Sequence, residues 1–154
     1  MRLWTADPAL ELASAFTAIA ETRMAGLPIC NPALRVEALP FRRTGDGHWA
    51  GLLITPWALN LLCLPGRADR WPAVAAGGKH EWSFPSGSYE FIVADEASLG
   101  PYHLCSLFSP ALEFASHEQA RLTALAADQA LVAAPLAPPA PAGRGRRAFL
   151  GLSG

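Results

Sequence analysis

The segment His48–Trp57 reads HWAGLLITPW, a short apolar run that ends in a Thr-Pro-Trp corner. An apolar run of this length, closed by a proline, predicts a buried β-strand. Pro56 removes a backbone donor and stiffens the chain, and Trp57 presents a large amphipathic ring. The corner is therefore a candidate rigid surface for a binding partner. The alternative is that Trp49 and Trp57 are core anchors, as large aromatic side chains usually are.

The segments on either side of this strand predict two further strands. Asp-Gly within Thr44–Gly47 is a strong hairpin signal. The turn should join a strand near Val36–Phe41 to the strand that ends at Thr55. The apolar run 58–64 predicts another strand or a short buried segment.

The middle of the chain predicts a second hairpin. Residues 66–83 are polar and contain glycine, so we expect irregular structure there, with Trp71-Pro72 as its one anchor. Ser88–Val93 and Tyr102–Phe108 are rich in strand-forming residues. The turn-rich segment Asp95–Pro101 should join these two strands.

A helix is predicted before the strands. Asp7 supplies an N-cap acceptor and Pro8 suits the first helical position. The helix should run to about Met24 and stop at Gly26. Its apolar stripe comprises Leu12, Phe16 and Ile19.

A second helix is predicted after the strands. Ser116, followed three residues later by Gln119, forms a capping box. The helix should continue until Pro135 breaks it. Its predicted apolar face comprises Leu122, Leu125 and Ala126.

This order of elements indicates an α+β fold, in which the N-terminal and C-terminal helices pack on one face of an antiparallel sheet. A chain of 154 residues suggests one domain, which we assign to residues 1–134. Residues 135–154 form a separate part: a Pro-rich spacer with polyproline character, followed by a basic and apolar C-terminal tail.

The composition excludes several classes of function. A net charge of −1 offers no basic field for nucleic acid. No apolar run approaches the length that a membrane span needs, so stable membrane insertion is not expected. Asp7 and Pro8 interrupt the N-terminus where a signal peptide would be apolar, which favours the cytoplasm. The sequence also lacks the common nucleotide-binding and hydrolase motifs, so no catalytic residue is assigned.

The three cysteines, Cys30, Cys63 and Cys105, are an odd number in unrelated contexts, which argues against a disulfide framework. Cys63 lies in an apolar run and should be buried. His103 and Cys105 are two residues apart on a predicted strand and so share a face. They are a candidate thiol–base pair or half of a metal site. A structural strand pair remains the alternative, and no metal or cofactor is assigned.

The tail contains Arg146-Arg147-Ala148-Phe149-Leu150, which has the form of a twin-arginine export motif. At this position it cannot direct export. Two interpretations stay open: the tail covers the body, or it occupies a groove meant for a true twin-arginine signal. On the second interpretation, removal of the tail should tighten the binding of that signal.

Several short motifs in this chain occur in an order and spacing shared with a known family. They are Asp46–Gly51, Ile54–Trp57, Leu64–Gly66, Trp71-Pro72, Phe84–Gly87, Tyr102–Pro110 and Arg146–Leu150. In these motifs the chain resembles the HybE family of nickel-iron hydrogenase assembly chaperones, which includes HupJ and HoxT. The resemblance covers nearly the whole domain.

The resemblance implies a non-enzymatic chaperone that binds an immature hydrogenase subunit and holds back its export until cofactors are loaded. The implied partner is the small-subunit precursor with its twin-arginine signal, with the large subunit and other maturation proteins as further candidates. Some members are linked to protection of the iron-sulfur subunit under oxygen. The alternative function is a thiol-redox or metal-handling accessory protein centred on Cys105 and His103.

The expected partner-binding residues combine the corner, the family-like motifs and the tail. We expect the corner to be the main surface, with Phe84-Pro85 as a neighbouring wall, and Cys105 to be reduced and partly accessible. The set comprises Trp49, Thr55, Pro56, Trp57, Phe84, Pro85, Cys105, Ser106, Ser109, Pro110, Arg146, Arg147, Phe149 and Leu150.

Overall fold

A seven-stranded antiparallel sheet forms the centre of the computed structural model, which describes residues 1–134. Its strands are β1 (Glu37–Ala38), β2 (Arg42–Arg43), β3 (Trp49–Ile54), β4 (Leu59–Leu64), β5 (Lys79–Phe84), β6 (Gly87–Glu96) and β7 (Gly100–Phe108). The helices are α1 (Ala9–Glu21), α2 (His117–Val132) and a short 3-10 turn at Ala68–Arg70. The strand order is β1-β3-β4-β7-β6-β5, with β2 also paired to β3.

The two helices cover opposite faces of the sheet. Leu52 and Ile54 of β3 belong to the core cluster that includes α2, whereas Leu53 belongs to the cluster that includes α1. Every residue of β3 and β4 is buried because both faces of these strands are covered. The predicted α+β class with an antiparallel sheet is confirmed, but the expectation that both helices share one face is wrong.

Helix α2 packs on the sheet through small side chains. Its predicted cap forms in part: the Ser116 hydroxyl accepts from the Gln119 N–H at 3.1 Å, but Gln119 Oε1 accepts from the Ala115 N–H at 2.7 Å and not from the Ser116 N–H that a capping box uses. The predicted apolar face is wrong, because Leu122 is 58% exposed and Leu125 is only half-buried. The buried stripe comprises Ala120, Ala124, Ala127 and Leu131.

Helix α1 carries the predicted stripe, with Leu12 and Phe16 buried. The helix ends at Glu21, about one turn before the predicted end. An Asp7 side-chain oxygen accepts from the Ala9 N–H at 2.9 Å and also from the Phe41 N–H at 3.2 Å. The predicted capping residue therefore ties the start of α1 to the segment between β1 and β2.

Two strand predictions need correction. In place of the single strand expected over Val36–Phe41, only β1 forms within that range, and β2 follows just beyond it. Pro40 lies between the two strands and cannot donate to the ladder. The irregular segment expected over residues 66–83 ends in strand β5, which forms the outer edge of the sheet. Both predicted hairpins are present, as the β2–β3 and β6–β7 pairs.

Among residues 1–134, no helix combines the length and the apolar character needed to cross a membrane. The predicted domain boundary at Pro135 coincides with the end of the described part of the chain and stays a prediction.

Candidate functional site

The Thr-Pro-Trp segment forms the tight turn between β3 and β4. The Thr55 N–H donates to the Ala58 carbonyl at 2.9 Å, which closes the turn. The Thr55 hydroxyl both accepts from the Ala58 N–H and donates to its carbonyl, each at 3.0 Å. Pro56 follows Thr55, where its fixed φ favours the turn. Thr55 is buried and supports the turn through these hydrogen bonds. Pro56 and Trp57 are half-buried.

Asn31 hydrogen-bonds two other segments of the chain at this turn, so that three segments meet there. Its backbone N–H donates to the Pro56 carbonyl at 2.8 Å. Its side-chain amide donates to the carbonyls of Ala111 and Phe114, at 3.0 and 2.8 Å. The Ala111 N–H in turn donates to the Trp57 carbonyl at 3.2 Å. Asn31 belongs to no sequence motif, and its one signal is its position between Cys30 and Pro32 in a loop.

The outer surface of this junction is apolar except for the exposed side chains of Ser109 and Glu113. Ser109, Pro110 and Leu112 are exposed beside the half-buried Pro56 and Trp57, and the exposed fraction of Leu112 is 52%. We call these five residues the proline corner. The segments that build it, residues 28–34, 55–58 and 109–116, contain no lysine or arginine and a single acidic residue, Glu113.

Trp49 lies at the opposite end of β3 and serves the core. Its ring nitrogen donates to the Trp4 carbonyl at 3.0 Å, and the Arg43 guanidinium lies 4.4 Å from the ring centroid. The side chain is 91% buried by these neighbours and by the α1-side cluster. The structure therefore does not bring Trp49 to the proline corner.

Phe84 and Pro85 form the turn between β5 and β6. The Phe84 ring packs on the α2-side cluster, whereas the Trp57 ring packs on the α1-side cluster. The expectation that Phe84-Pro85 forms a wall beside Trp57 is therefore wrong. The Ser86 N–H donates to the Leu131 carbonyl at 3.3 Å, so this turn meets the end of α2 instead.

Cys105 is a core residue. It lies opposite Leu61 in the β4–β7 pair and is only 3% exposed, so the expected accessibility of its thiol is wrong. Its neighbour Ser106 is half-buried on the other face. His103 Nδ1 accepts from the Trp82 ring N–H at 2.8 Å, and His103 Nε2 has no partner within residues 1–134. Neither ring nitrogen therefore serves as a base for Cys105.

Comparison with known proteins identifies the family. A family model described as nickel-iron hydrogenase assembly, chaperone, HybE matches residues 7–152. The chain belongs to this family. It is also similar to the protein HoxT of Cupriavidus necator, at 43% identity over 94% of this chain and 88% of that protein. The hydrogenase expression/formation protein HupT of Azotobacter chroococcum is 42% identical over 83% of this chain and 84% of its own length.

The fold agrees with a solved member of the HybE family. The solution structure of HybE from Escherichia coli matches this chain with a TM-score of 0.69 and 28% sequence identity, over 94% of this chain and 90% of that one. Membership of the HybE family places the protein among nickel-iron hydrogenase assembly chaperones, as the sequence motifs predicted.

The remaining expected residues of this HybE-family chain are not placed by the structure. Arg146, Arg147, Phe149 and Leu150 lie outside the described residues, although the family match extends over them. Their role stays a prediction. Within residues 1–134, no three His, Cys, Asp or Glu side chains are grouped so that they could hold a metal ion.

Proposed function

We propose that this chaperone binds the precursor of a nickel-iron hydrogenase small subunit in the cytoplasm, before export, and that it acts without catalysis. The proline corner is the proposed binding surface. The observation that carries the proposal is the bonding of Asn31 to both sides of the junction, which holds an exposed apolar surface on a fixed backbone.

A fixed apolar surface suits protein binding for an energetic reason. Aromatic anchors on rigid backbone lose little conformational entropy when a partner covers them, so a few such residues supply most of an interface's free energy. Trp57 is the anchor of this kind in the proline corner, and Leu112 is exposed beside it.

The charge of the surface suits a twin-arginine signal. Such a signal carries two arginines next to an apolar segment. The segments around the proline corner contain Glu113 and no basic side chain, so they repel neither part of the signal. A signal-bearing precursor is therefore favoured over a partner with an acidic surface.

The binding test compares Trp57→Ala with the unmodified chain, using a purified small-subunit precursor. We expect Trp57→Ala to weaken binding about 30-fold, as loss of a central aromatic anchor typically does. Leu122→Ala is the matched control, because Leu122 is a leucine of similar exposure that does not belong to the proline corner, and the affinity of this variant should be unchanged. Melting temperatures establish that each variant is folded.

A second variant tests the same surface in case Trp57→Ala is not stable enough to measure. Leu112→Ser changes an exposed side chain, so it should fold normally and weaken binding about fivefold. If both folded variants bind the precursor as tightly as the unmodified chain, the proline corner is not the binding surface.

The alternative thiol-redox function has no support from the geometry of Cys105, whose thiol is buried. A Cys105→Ser variant should therefore still bind the precursor. Loss of precursor binding by a folded Cys105→Ser variant would restore the redox alternative.

A further inference from the structure

Five aromatic side chains from distant parts of the chain meet at the end of the sheet opposite the proline corner. Trp71 and His103 have ring centroids 4.3 Å apart, His80 and Trp82 4.6 Å apart, and His48 and Trp71 5.0 Å apart. His48 and His103 are completely buried, whereas Trp71 and His80 are partly exposed. We call these five residues the imidazole–indole cluster.

The hydrogen bonds of His48 are complete. Its Nδ1 lies 3.0 Å from the Gly66 N–H, which can only donate, and its Nε2 lies 3.1 Å from the Arg70 carbonyl, which can only accept. Nε2 therefore carries the hydrogen, and both ring nitrogens are satisfied. His48 serves as an internal reference for the second buried histidine.

The hydrogen bonds of His103 are incomplete. The Trp82 ring nitrogen can only donate, so His103 Nδ1 accepts at 2.8 Å and the neutral ring carries its hydrogen on Nε2. That Nε2–H is buried and has no partner within residues 1–134. An orphaned buried donor costs free energy that a suitable acceptor would recover.

The surroundings of His103 favour an uncharged acceptor. Burial, together with the neighbouring His80 and His48, lowers the pKa of His103 to about 4, so the ring is neutral near pH 7. A neutral ring offers no charge to offset the desolvation of a carboxylate. Desolvation of an amide carbonyl costs much less than that of a carboxylate, and a hydrogen bond from Nε2 would offset it. The flat indole of Trp71 suits a planar amide group.

We propose that the imidazole–indole cluster binds an uncharged peptide group, whose carbonyl oxygen accepts the hydrogen of His103 Nε2. Trp71 and His80 are the partly exposed members of the cluster, so the group reaches the buried Nε2 only when one of these rings moves aside. Trp82 orients the imidazole in advance through its bond to Nδ1. The peptide group belongs to an extended segment of the hydrogenase precursor, and this last assignment of the source rests on the proposed function.

The first test uses the full chain labelled with ¹⁵N in its histidine rings. N-methylacetamide, the smallest uncharged peptide group, is titrated while the Nε2–H resonances of His103 and His48 are followed by NMR. Saturable movement of the His103 resonance, with His48 unchanged, supports the site. Sodium acetate at matched ionic strength should leave both resonances in place.

Three results of this titration would overturn the proposal. The first is a His103 resonance that does not respond to N-methylacetamide, which would leave a buried water as the partner of Nε2–H. The second is an equal response to acetate, and the third is an equal response of His48. Because no hydrogenase subunit is present, this test is independent of the proposed function.

The second test concerns the source of the peptide group. A synthetic twin-arginine segment of a small-subunit precursor is titrated into the unmodified chain and into His103→Phe/Trp82→Phe, which removes both the orphaned donor and the bond that orients it. We expect the double variant to bind this peptide about tenfold more weakly. If the double variant does not fold, the response of His103 to this peptide in the unmodified chain decides the question.

Peptide binding by Trp57→Ala distinguishes the imidazole–indole cluster from the proline corner as the binding site. Loss of peptide binding in Trp57→Ala, with unchanged affinity in the folded double variant, would leave the proline corner as the binding surface and reject the precursor as occupant of the cluster. Loss in the double variant alone would support the cluster and reject the proline corner.

Discussion

At the scale of single residues, two buried asparagines differ in whether the hydrogen bonds of their side chains are made. Asn31 uses both ends of its side-chain amide, because its Oδ1 also accepts from the Ala33 N–H at 3.0 Å. Asn60, on β4, is 9% exposed, and its Oδ1 has no partner within residues 1–134. Burial of a polar group stabilises a protein only when its hydrogen bonds are made.

Asn31→Leu should destabilise the protein by about 2–4 kcal/mol, because it leaves the carbonyls of Ala111 and Phe114 unpaired. Asn60→Leu is the matched control, and we expect its free energy of unfolding to be unchanged or slightly higher. Urea denaturation of the two variants checks both values. Equal destabilisation would show that Asn31 has no special role at the junction.

The three thiols should differ sharply in reactivity. Burial, and to a lesser extent the charge of Asp46, raises the pKa of Cys63, so this thiol should not form thiolate in the native state. Cys105 is similarly buried and should be out of reach of a reagent. Cys30 is half-buried and should react alone with a thiol reagent, whereas all three should react in denaturant. Cys30→Ser should abolish the native reaction. Rapid labelling of Cys105 in that variant would contradict its position in the core.

At the scale of elements, an ion-pair network joins β1 to α2. His117 Nδ1 accepts from the Arg35 N–H, so its Nε2–H donates to Glu37 Oε1 at 2.8 Å. The Arg121 side chain donates to Glu37 Oε2 at 3.0 Å. Burial alone would raise the pKa of Glu37, but the bonds from His117 and Arg121 outweigh it, and the pKa lies below its ordinary value.

A carboxyl group whose pKa is lowered by folding stabilises the protein above its unfolded pKa and loses that effect as the pH falls through its folded pKa. Glu37→Gln should therefore cost about 1 kcal/mol at pH 7, and the difference from the unmodified chain should shrink below about pH 4. Denaturation at several pH values measures this. Glu81→Gln, on the exposed part of β5, is the control.

The elements with local turn or cap signals could be predicted from the sequence. Gly47 takes a positive φ of 84° in the β2–β3 turn, where Asp-Gly signalled a hairpin, and Ser116 caps α2 as expected. The face of α2 could not be predicted, since its alanines are buried only because the sheet lies beneath them. Strand β5 forms where irregular structure is expected, although its sequence has a period-two pattern: His80, Trp82 and Phe84 alternate with polar residues.

At the scale of the whole molecule, helices cover both faces of the sheet, and the two proposed binding sites lie at opposite ends of its strands. The proline corner lies at one end and the imidazole–indole cluster at the other. The sequence motifs put Pro56, Trp57, Ser109 and Pro110 in one expected binding set, and the bond from the Ala111 N–H to the Trp57 carbonyl joins the two segments that carry them. Their role in binding stays a prediction. The motifs could not reveal the contacts of Asn31, because these join residues about 80 positions apart.

The central claim is that the proline corner contacts the small-subunit precursor, and site-directed photo-crosslinking tests it most directly. A photoreactive amino acid replaces Leu112 in the proline corner or, as a control of similar exposure, Leu122 on α2. We predict a cross-link to the precursor from position 112 and none from position 122. Cross-linking from position 122 without cross-linking from position 112 would contradict the account.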